Sequence, residues 1–279
     1  MACGEWRVEI NMNNNTGVYT ARKKDGTIYY RSSVTFMNKH ISLGSFDSFD
    51  IANKVYNESK FILYDLNISI DDYDGSTYSI SFKKWVSLIN FRDNKIYFKT
   101  PIYLKSRYFI YYISPDEEYK FDIEDLFYYS SKTIMKRDGH LFVNDYGIQT
   151  NILSRYGIKN YAVIGKDYYF KNNDSTDFRY ENIIIINPYN GVEQVVKNGK
   201  KYYQVKIHIN GYYTIGLYNN EETAAIAYNK AVDYAIQYGI NKNFQTNYIL
   251  ELSTEEYKTK YSSTCISEKY IEYLKSLPL

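Results

Sequence analysis

One stretch of this chain occurs twice, and that duplication limits what the chain can fold into more than any other feature. The first copy reads Gly17-Val18, then Tyr29-Tyr30-Arg31-Ser32-Ser33-Val34-Thr35-Phe36, Leu43-Gly44-Ser45-Phe46, Ala52 and Tyr56-Asn57. The second reads Gly191-Val192, then Tyr202-Tyr203-Gln204-Val205-Lys206-Ile207-His208-Ile209, Ile215-Gly216-Leu217-Tyr218, Ala224 and Tyr228-Asn229. The offset is 173 along the Tyr29–Phe36 stretch and 172 beyond it. One extra residue in the Met37-Asn38-Lys39 turn, against Asn210-Gly211, accounts for the slip. Such self-similarity marks each copy as one supersecondary unit.

Periodicity says what that unit is. Tyr30, Ser32, Val34 and Phe36 alternate with Arg31, Ser33 and Thr35, and Tyr203, Val205, Ile207 and Ile209 alternate with Gln204, Lys206 and His208. A period of two is that of a half-buried strand. Asn210-Gly211 is a two-residue hairpin signal, because both residue types tolerate positive φ. After Gly44 and Gly216 the period becomes helical, with Ser48 and Asn220 as N-caps. Neither is followed by Glu or Gln three residues on, so neither completes a capping box. Ala224, Ala227, Tyr228, Ala231 and Ala235 form a small-residue stripe that lets a helix lie close on a sheet. Each copy is thus expected to be a three-stranded antiparallel sheet with one helix. One face is left open, bearing Arg31, Ser33, Thr35 and Ser42 in the first copy and Gln204, Lys206, His208 and Thr214 in the second.

Charge is concentrated in these copies. The whole chain carries only +2. Residues 17–45 carry +4 (Arg22, Lys23, Lys24, Arg31, Lys39 against Asp25), and residues 191–217 carry +3 (Lys197, Lys200, Lys201, Lys206 against Glu193). The middle, 65–189, has 16 basic and 17 acidic residues. Clustered Lys and Arg on a ribbon form the electrostatic footprint of a nucleic-acid partner. A solvated outer face is the plainer alternative.

Other classes are set aside by composition. No run of about 18 apolar residues reads as a membrane span. Met1-Ala2-Cys3-Gly4-Glu5-Trp6 shows no secretory signal. Two cysteines, Cys3 and Cys265, make neither a disulfide framework nor a zinc set, so an intracellular, reducing compartment is expected. His40, His140 and His208 lie far apart without metal-ligand spacing. The 35 tyrosines suit either an aromatic binding surface or an AT-rich coding genome.

The repeated pattern resembles the APETALA/ethylene-response-factor DNA-binding domain. Its second copy also carries that family's ending, in Tyr238-Gly239 and Asn243-Phe244. The resemblance implies a sheet lying in the major groove of double-stranded DNA with a helix packed behind. Tyr30 and Tyr203 stand where the family has a strand Trp. The family's arginine-rich first strand is reduced to Arg22-Lys23-Lys24 and to Gln194 with Lys197. The DNA-contact set so implied is Arg22, Lys23, Lys24, Arg31, Ser33, Thr35, Gln194, Lys197, Gln204, Lys206, His208 and Thr214.

Between the copies, residues 167–187 resemble the HNH homing-endonuclease motif found in phages and large DNA viruses. Asn172-Asn173-Asp174 takes the Asn-Gly-Asn turn, and Asp177, Arg179, Asn182 and Ile183 take the later Asp, Arg, Asn and Leu positions. Asp122-Ile123-Glu124-Asp125 and Leu153-Ser154-Arg155 resemble two further landmarks of the family. HNH cleavage needs a divalent metal and a His general base. Here the metal Asp position is Tyr169, the base position is Phe170, and the Leu-His-Arg histidine is Ser154. Only Asn182 survives. A Mg²⁺ site is expected only if Asp174 or Asp177 with Asn182 rescues it; otherwise no cofactor is expected.

The expected fold class is α+β, in six parts. These are an N-terminal extension (1–15), a first APETALA-type module (16–64), a β-rich connector (65–104), a degenerate HNH-like ββα domain (105–188), a second module (189–246) and a helical tail (247–279). Tyr78–Phe82 and Lys95–Phe98 are the segments that read as strands in the connector. The functional expectation is a DNA-binding protein, acting in regulation or DNA organisation, that has lost nuclease chemistry. A metal-dependent nickase and a structural DNA-coating or virion protein are the alternatives.

Overall fold

The computed structural model describes residues 17–277; the expected N-terminal extension and Cys3 lie outside the described residues. The class is α+β, with four three-stranded sheets and one two-stranded hairpin among the described residues. Two compact units divide the chain. One holds the residues up to Thr150 together with Asp174–Tyr180, and the other holds Asn151–Asn173 and the residues from Glu181 onward.

The first unit opens with the first repeat copy: β1 (Val18–Arg22), β2 (Ile28–Phe36), β3 (Lys39–Phe46) and helix α1 (Phe49–Tyr64). The strands pair antiparallel in the order β1-β2-β3. Ser48 caps α1 by accepting a bond from the Asp50 amide at 3.2 Å. Ala52, Val55, Ser59, Ile62 and Leu63 face inward at helical spacing. Val34, Ile41 and Leu43 of the sheet meet them, with Trp85, Leu88 and Ile89 closing the core from the far side.

Those last three residues belong to α2 (Phe82–Asn94), which corrects the expectation of a β-rich connector. Trp85, Leu88 and Ile89 recur at i, i+3 and i+4, and that helical period outweighs the short alternation at Tyr78–Phe82. Lys95, expected to start a strand, ends α2 in the left-handed conformation at φ +64°. Arg92 is buried and performs a long-range task. Its guanidinium donates to the Ile62 carbonyl (3.1 Å), the Asp65 carbonyl (2.6 Å) and the Ile68 carbonyl (2.8 Å), capping the end of α1.

The unit continues with β4 (Ile102–Leu104), β5 (Tyr108–Ser114), β6 (Glu117–Asp122), the short helix α3 (Leu126–Tyr129), and β7 (Ile134–Arg137), β8 (His140–Asp145) and β9 (Ile148–Asn151). Segment Asp174–Tyr180 returns to this unit. Lys120 donates its amide to the Thr176 carbonyl at 2.9 Å, Phe178 donates to the Lys120 carbonyl at 2.8 Å, and the Phe178 ring stacks on Phe121.

The second unit contains the hairpin β10 (Tyr168–Phe170) and β11 (Ile183–Ile185), then the second repeat copy. That copy is β12 (Val192–Lys197), β13 (Lys200–His208), β14 (Tyr212–Tyr218) and α4 (Glu221–Gln237). Asn220 caps α4, and the alanine stripe lies fully buried against the sheet. Two helices, α5 (Thr254–Ser263) and α6 (Glu268–Ser276), complete the unit.

The two copies agree in detail. Both sheets shift register at equivalent points, between Ser32 and Ser33 and between Val205 and Lys206. In both, the central strand donates back to the opening glycine: Ser33 amide to Gly17 carbonyl at 2.9 Å, Lys206 amide to Gly191 carbonyl at 2.8 Å. The turns differ. Met37 and Asn38 both take positive φ in a two-residue loop, whereas Asn210 and Gly211, where positive φ was expected, do not. The positive-φ Asn-Gly pair sits instead at Asn198-Gly199, between β12 and β13.

Candidate nucleic-acid interface

Cross-strand register settles which side chains share the open faces, because directly paired residues project to the same side. In the first copy Arg31 pairs with Tyr19 on β1 and with Ser45 on β3, and Tyr29 pairs with Ala21. Thr35 pairs with His40 near the far turn. Arg31, Thr35, Tyr19, Ser45 and His40 are exposed. The Arg31 guanidinium donates to the Tyr29 hydroxyl at 2.7 Å and lies 5.4 Å from the centre of that ring. Cation and aromatic ring thus form one platform.

Four expected contacts of this copy sit differently. Ser33 is buried, and its hydroxyl reaches the Gly17 carbonyl at 3.5 Å, because the incoming backbone of Gly17 covers it. Arg22 pairs with Ile28, on the helix side of the sheet, but ends its strand and is exposed. Lys23 and Lys24 are exposed in the β1–β2 turn. There the Thr27 amide and hydroxyl hold Asp25 below the ordinary carboxylate range, with Lys23 adding to the effect.

In the second copy Gln204 pairs with Glu193 on β12 and Leu217 on β14, Lys206 pairs with Thr214, and His208 pairs with Tyr212. Lys197 and Lys200 pair at the β12–β13 turn on this same face. Gln194 pairs with Tyr203 and so belongs to the helix side, and its backbone N–H donates to Asn187 Oδ1 at 2.8 Å. Lys242, from the segment after α4, reaches this face's edge and donates to the His208 and Ile209 carbonyls at 3.0 and 3.1 Å. The charge balance differs from that of the first copy. Glu193 lies within ion-pair distance of Lys206 (3.8 Å) and Lys166 (3.2 Å). In the sequence Glu193 is one negative charge against four lysines; its place beside Lys206 follows only from the register.

The strand-Trp substitutes are packing residues. Tyr30 meets Phe49 edge-on at 5.7 Å, and Tyr203 packs against the core of its own copy.

The nuclease-like positions separate into the two units. In the second unit, Tyr168 and Phe170 are buried in the hairpin while Tyr169 between them is exposed. Phe170 is a core residue with no ionisable group. Asn182 is buried and staples the hairpin, accepting from the Asn172 amide through its side chain (2.9 Å) and from the Lys171 amide through its carbonyl (2.8 Å). Ser154 donates to the Asn151 carbonyl at 2.7 Å. After β11 the chain enters β12, so no helix follows the hairpin as a ββα unit requires.

In the first unit, Asp174 accepts from Thr176 (2.9 Å to the amide, 2.7 Å to the hydroxyl) and from Lys120 at 3.1 Å. The bonds from Thr176 come first, with Lys120, in holding its carboxyl below the usual range despite partial burial. Asp177 is buried and held by Arg179 through both oxygens, at 2.8 and 2.6 Å. Both carboxylates are therefore committed to turn and ion-pair bonds. Among the described residues no group of three or more His, Cys, Asp or Glu is arranged to hold a metal. Also among these residues, no helix is long and apolar enough to cross a membrane.

No family model matches this chain, and comparison with curated proteins and with solved structures returned no significant match.

Proposed function

We propose that the protein binds double-stranded DNA through the open faces of its two duplicated sheets, as a non-catalytic binder. The observation that carries this reading is the duplication itself. The two copies repeat the same interior packing, each in its own core, and each presents an open sheet face with cations at its edges. A three-stranded antiparallel ribbon of this size suits the major groove, where Arg, Lys and Gln meet base edges and phosphates. The resemblance of the repeated pattern to the APETALA/ethylene-response-factor domain supports the same partner. Arg22, Lys23, Lys24, Arg31, Lys197, Lys200 and Lys206 supply phosphate attraction, and two modules on one chain raise the effective concentration of the second once the first is bound.

Cleavage is not part of the proposal. The base position is a buried phenylalanine, and the two acidic candidates are held by Thr176, Lys120 and Arg179. A nuclease-derived scaffold that retains binding accounts for both resemblances, in a regulatory or DNA-organising role.

The test is a mobility-shift titration with a duplex pool over a salt series. Binding at low salt, with log affinity falling against log salt at a slope of roughly −4 or steeper, is expected for several phosphate contacts. Absence of any shift with micromolar protein at about 50 mM salt refutes the proposal. Plasmid with Mg²⁺ in parallel tubes reports any nicking.

A further inference from the structure

The open face of the second copy contains a carboxylate, which is out of place on a surface meant for phosphate. Glu193 projects from the edge strand β12 directly beside Gln204. Lys206 lies two residues along on the same face, with its Nζ 3.8 Å from Glu193 Oε2; Lys166 approaches the same oxygen at 3.2 Å. Glu193 and Lys206 keep 31% and 39% of their side chains exposed, so both remain within reach of a ligand. At the matching position of the first copy stands Tyr19, and among the described residues none of the strand residues paired on that face is a carboxylate.

On this footing, and resting on the proposed function, we infer that the second copy reads base edges and that Glu193 is its specificity residue for a G·C pair. Against the phosphate backbone a carboxylate only repels. Its complement on duplex DNA is a base amino group. In the major groove a G·C pair presents the cytosine N4 amino donor next to the guanine O6 and N7 acceptors. An acceptor and a cation held side by side, as Glu193 and Lys206 are, match that edge: the carboxylate takes the amino group and the ammonium takes O6 or N7. Gln204, adjacent to both, is placed for the neighbouring pair. The first copy, with Arg31 on its tyrosine platform and Arg22, Lys23 and Lys24 at its edge, supplies sequence-independent attachment.

The experiment is selection from a random duplex pool with the full chain, its Glu193→Ala and Glu193→Gln variants, and a Lys206→Ala variant. Affinity for unselected duplex is measured alongside. The wild-type chain is expected to enrich G·C at one position. Glu193→Ala is expected to erase that preference, a discrimination of roughly fivefold or more, while binding unselected duplex more tightly. Glu193→Gln, which keeps an acceptor oxygen without charge, is expected to keep part of the preference. Lys206→Ala is expected to lose preference and affinity together. If wild type and Glu193→Ala select the same sequences with the same affinity, the inference is overturned while the proposed function stands. If the wild-type chain shifts no duplex at low salt, the proposed function falls and takes this inference with it. Thermal melts of each variant separate loss of fold from loss of recognition.

Discussion

In both copies of the repeat a glycine with positive φ opens the first strand, beneath a tyrosine from the helix and against a carbonyl of the central strand. A β-carbon at Gly17 or Gly191 would lie well inside contact distance of those atoms. The interiors are thus constrained alike, down to the register shift, while the surroundings have diverged. The first copy ends its helix with the buried Arg92, reached from α2; the second ends with Gly239 at φ +80°, whose neighbour Ile240 donates to the Ala235 carbonyl at 3.0 Å. Asn57 lies exposed, but its counterpart Asn229 is buried and exchanges bonds with Asn247 at 2.8 and 2.7 Å. The same core has been kept by different neighbours. What a duplicated unit preserves is the packing that makes it fold; caps, flanks and faces are free to change.

That contrast can be broken at its strongest point first. Replacing Arg92 by Met leaves three carbonyls near the end of α1 without their donor inside the protein, which is expected to destabilise the chain by about 3 kcal/mol or more. Chemical denaturation of the variant measures this, and a loss under about 1 kcal/mol would show that water replaces the guanidinium.

The two asparagines provide an internal control of intermediate size. Asn229→Ala removes the bonds to Asn247 and is expected to cost about 2 kcal/mol, whereas Asn57→Ala on the exposed surface is expected to fall within about 0.5 kcal/mol of wild type. Equal effects at both positions would mean that the flank contributes nothing to the second copy.

The smallest effect expected concerns acid. Asp167 is buried, which alone would raise its carboxyl, but the bonds from Lys159 and from the Val163 amide prevail and hold it below the usual carboxylate range. Lys159 also donates to the Tyr189 and Val192 carbonyls, tying this pair to the start of the second copy. A depressed folded-state pKa contributes stability that is complete above the unfolded value and is lost as pH falls through the folded one. Melting temperature should therefore fall on acidification below about pH 4, and a Lys159→Met variant should show a shallower fall over that range.

Much of the second copy was legible in the sequence because its signals are local. The alanine stripe, the Asn220 cap and the strand alternation each lie within a few residues of one another. Ser33 was misplaced because its burial depends on Gly17, sixteen residues away. Gln194 was misplaced because one residue of register decides its face. Helix α2 was obscured by buried polar residues. Asn90, bonded to the Ile96 carbonyl at 2.7 Å, and Arg92 interrupt the apolar rhythm that marks a helix. Glu193 was visible as a charge but not as the neighbour of Lys206, since only strand pairing brings the two together.

The return of Asp174–Tyr180 to the first unit bears on the order in which the protein can be completed on the ribosome. The ring of Phe178 belongs with Phe121 and Tyr119, yet it is made after the stretch Asn151–Asn173 of the other unit. At elongation rates of about 5–20 residues per second, the first unit waits roughly 2 to 6 seconds between Thr150 and Tyr180 with that aromatic place unfilled. Pausing, codon choice or a bound chaperone acting over those thirty codons would therefore influence both units at once.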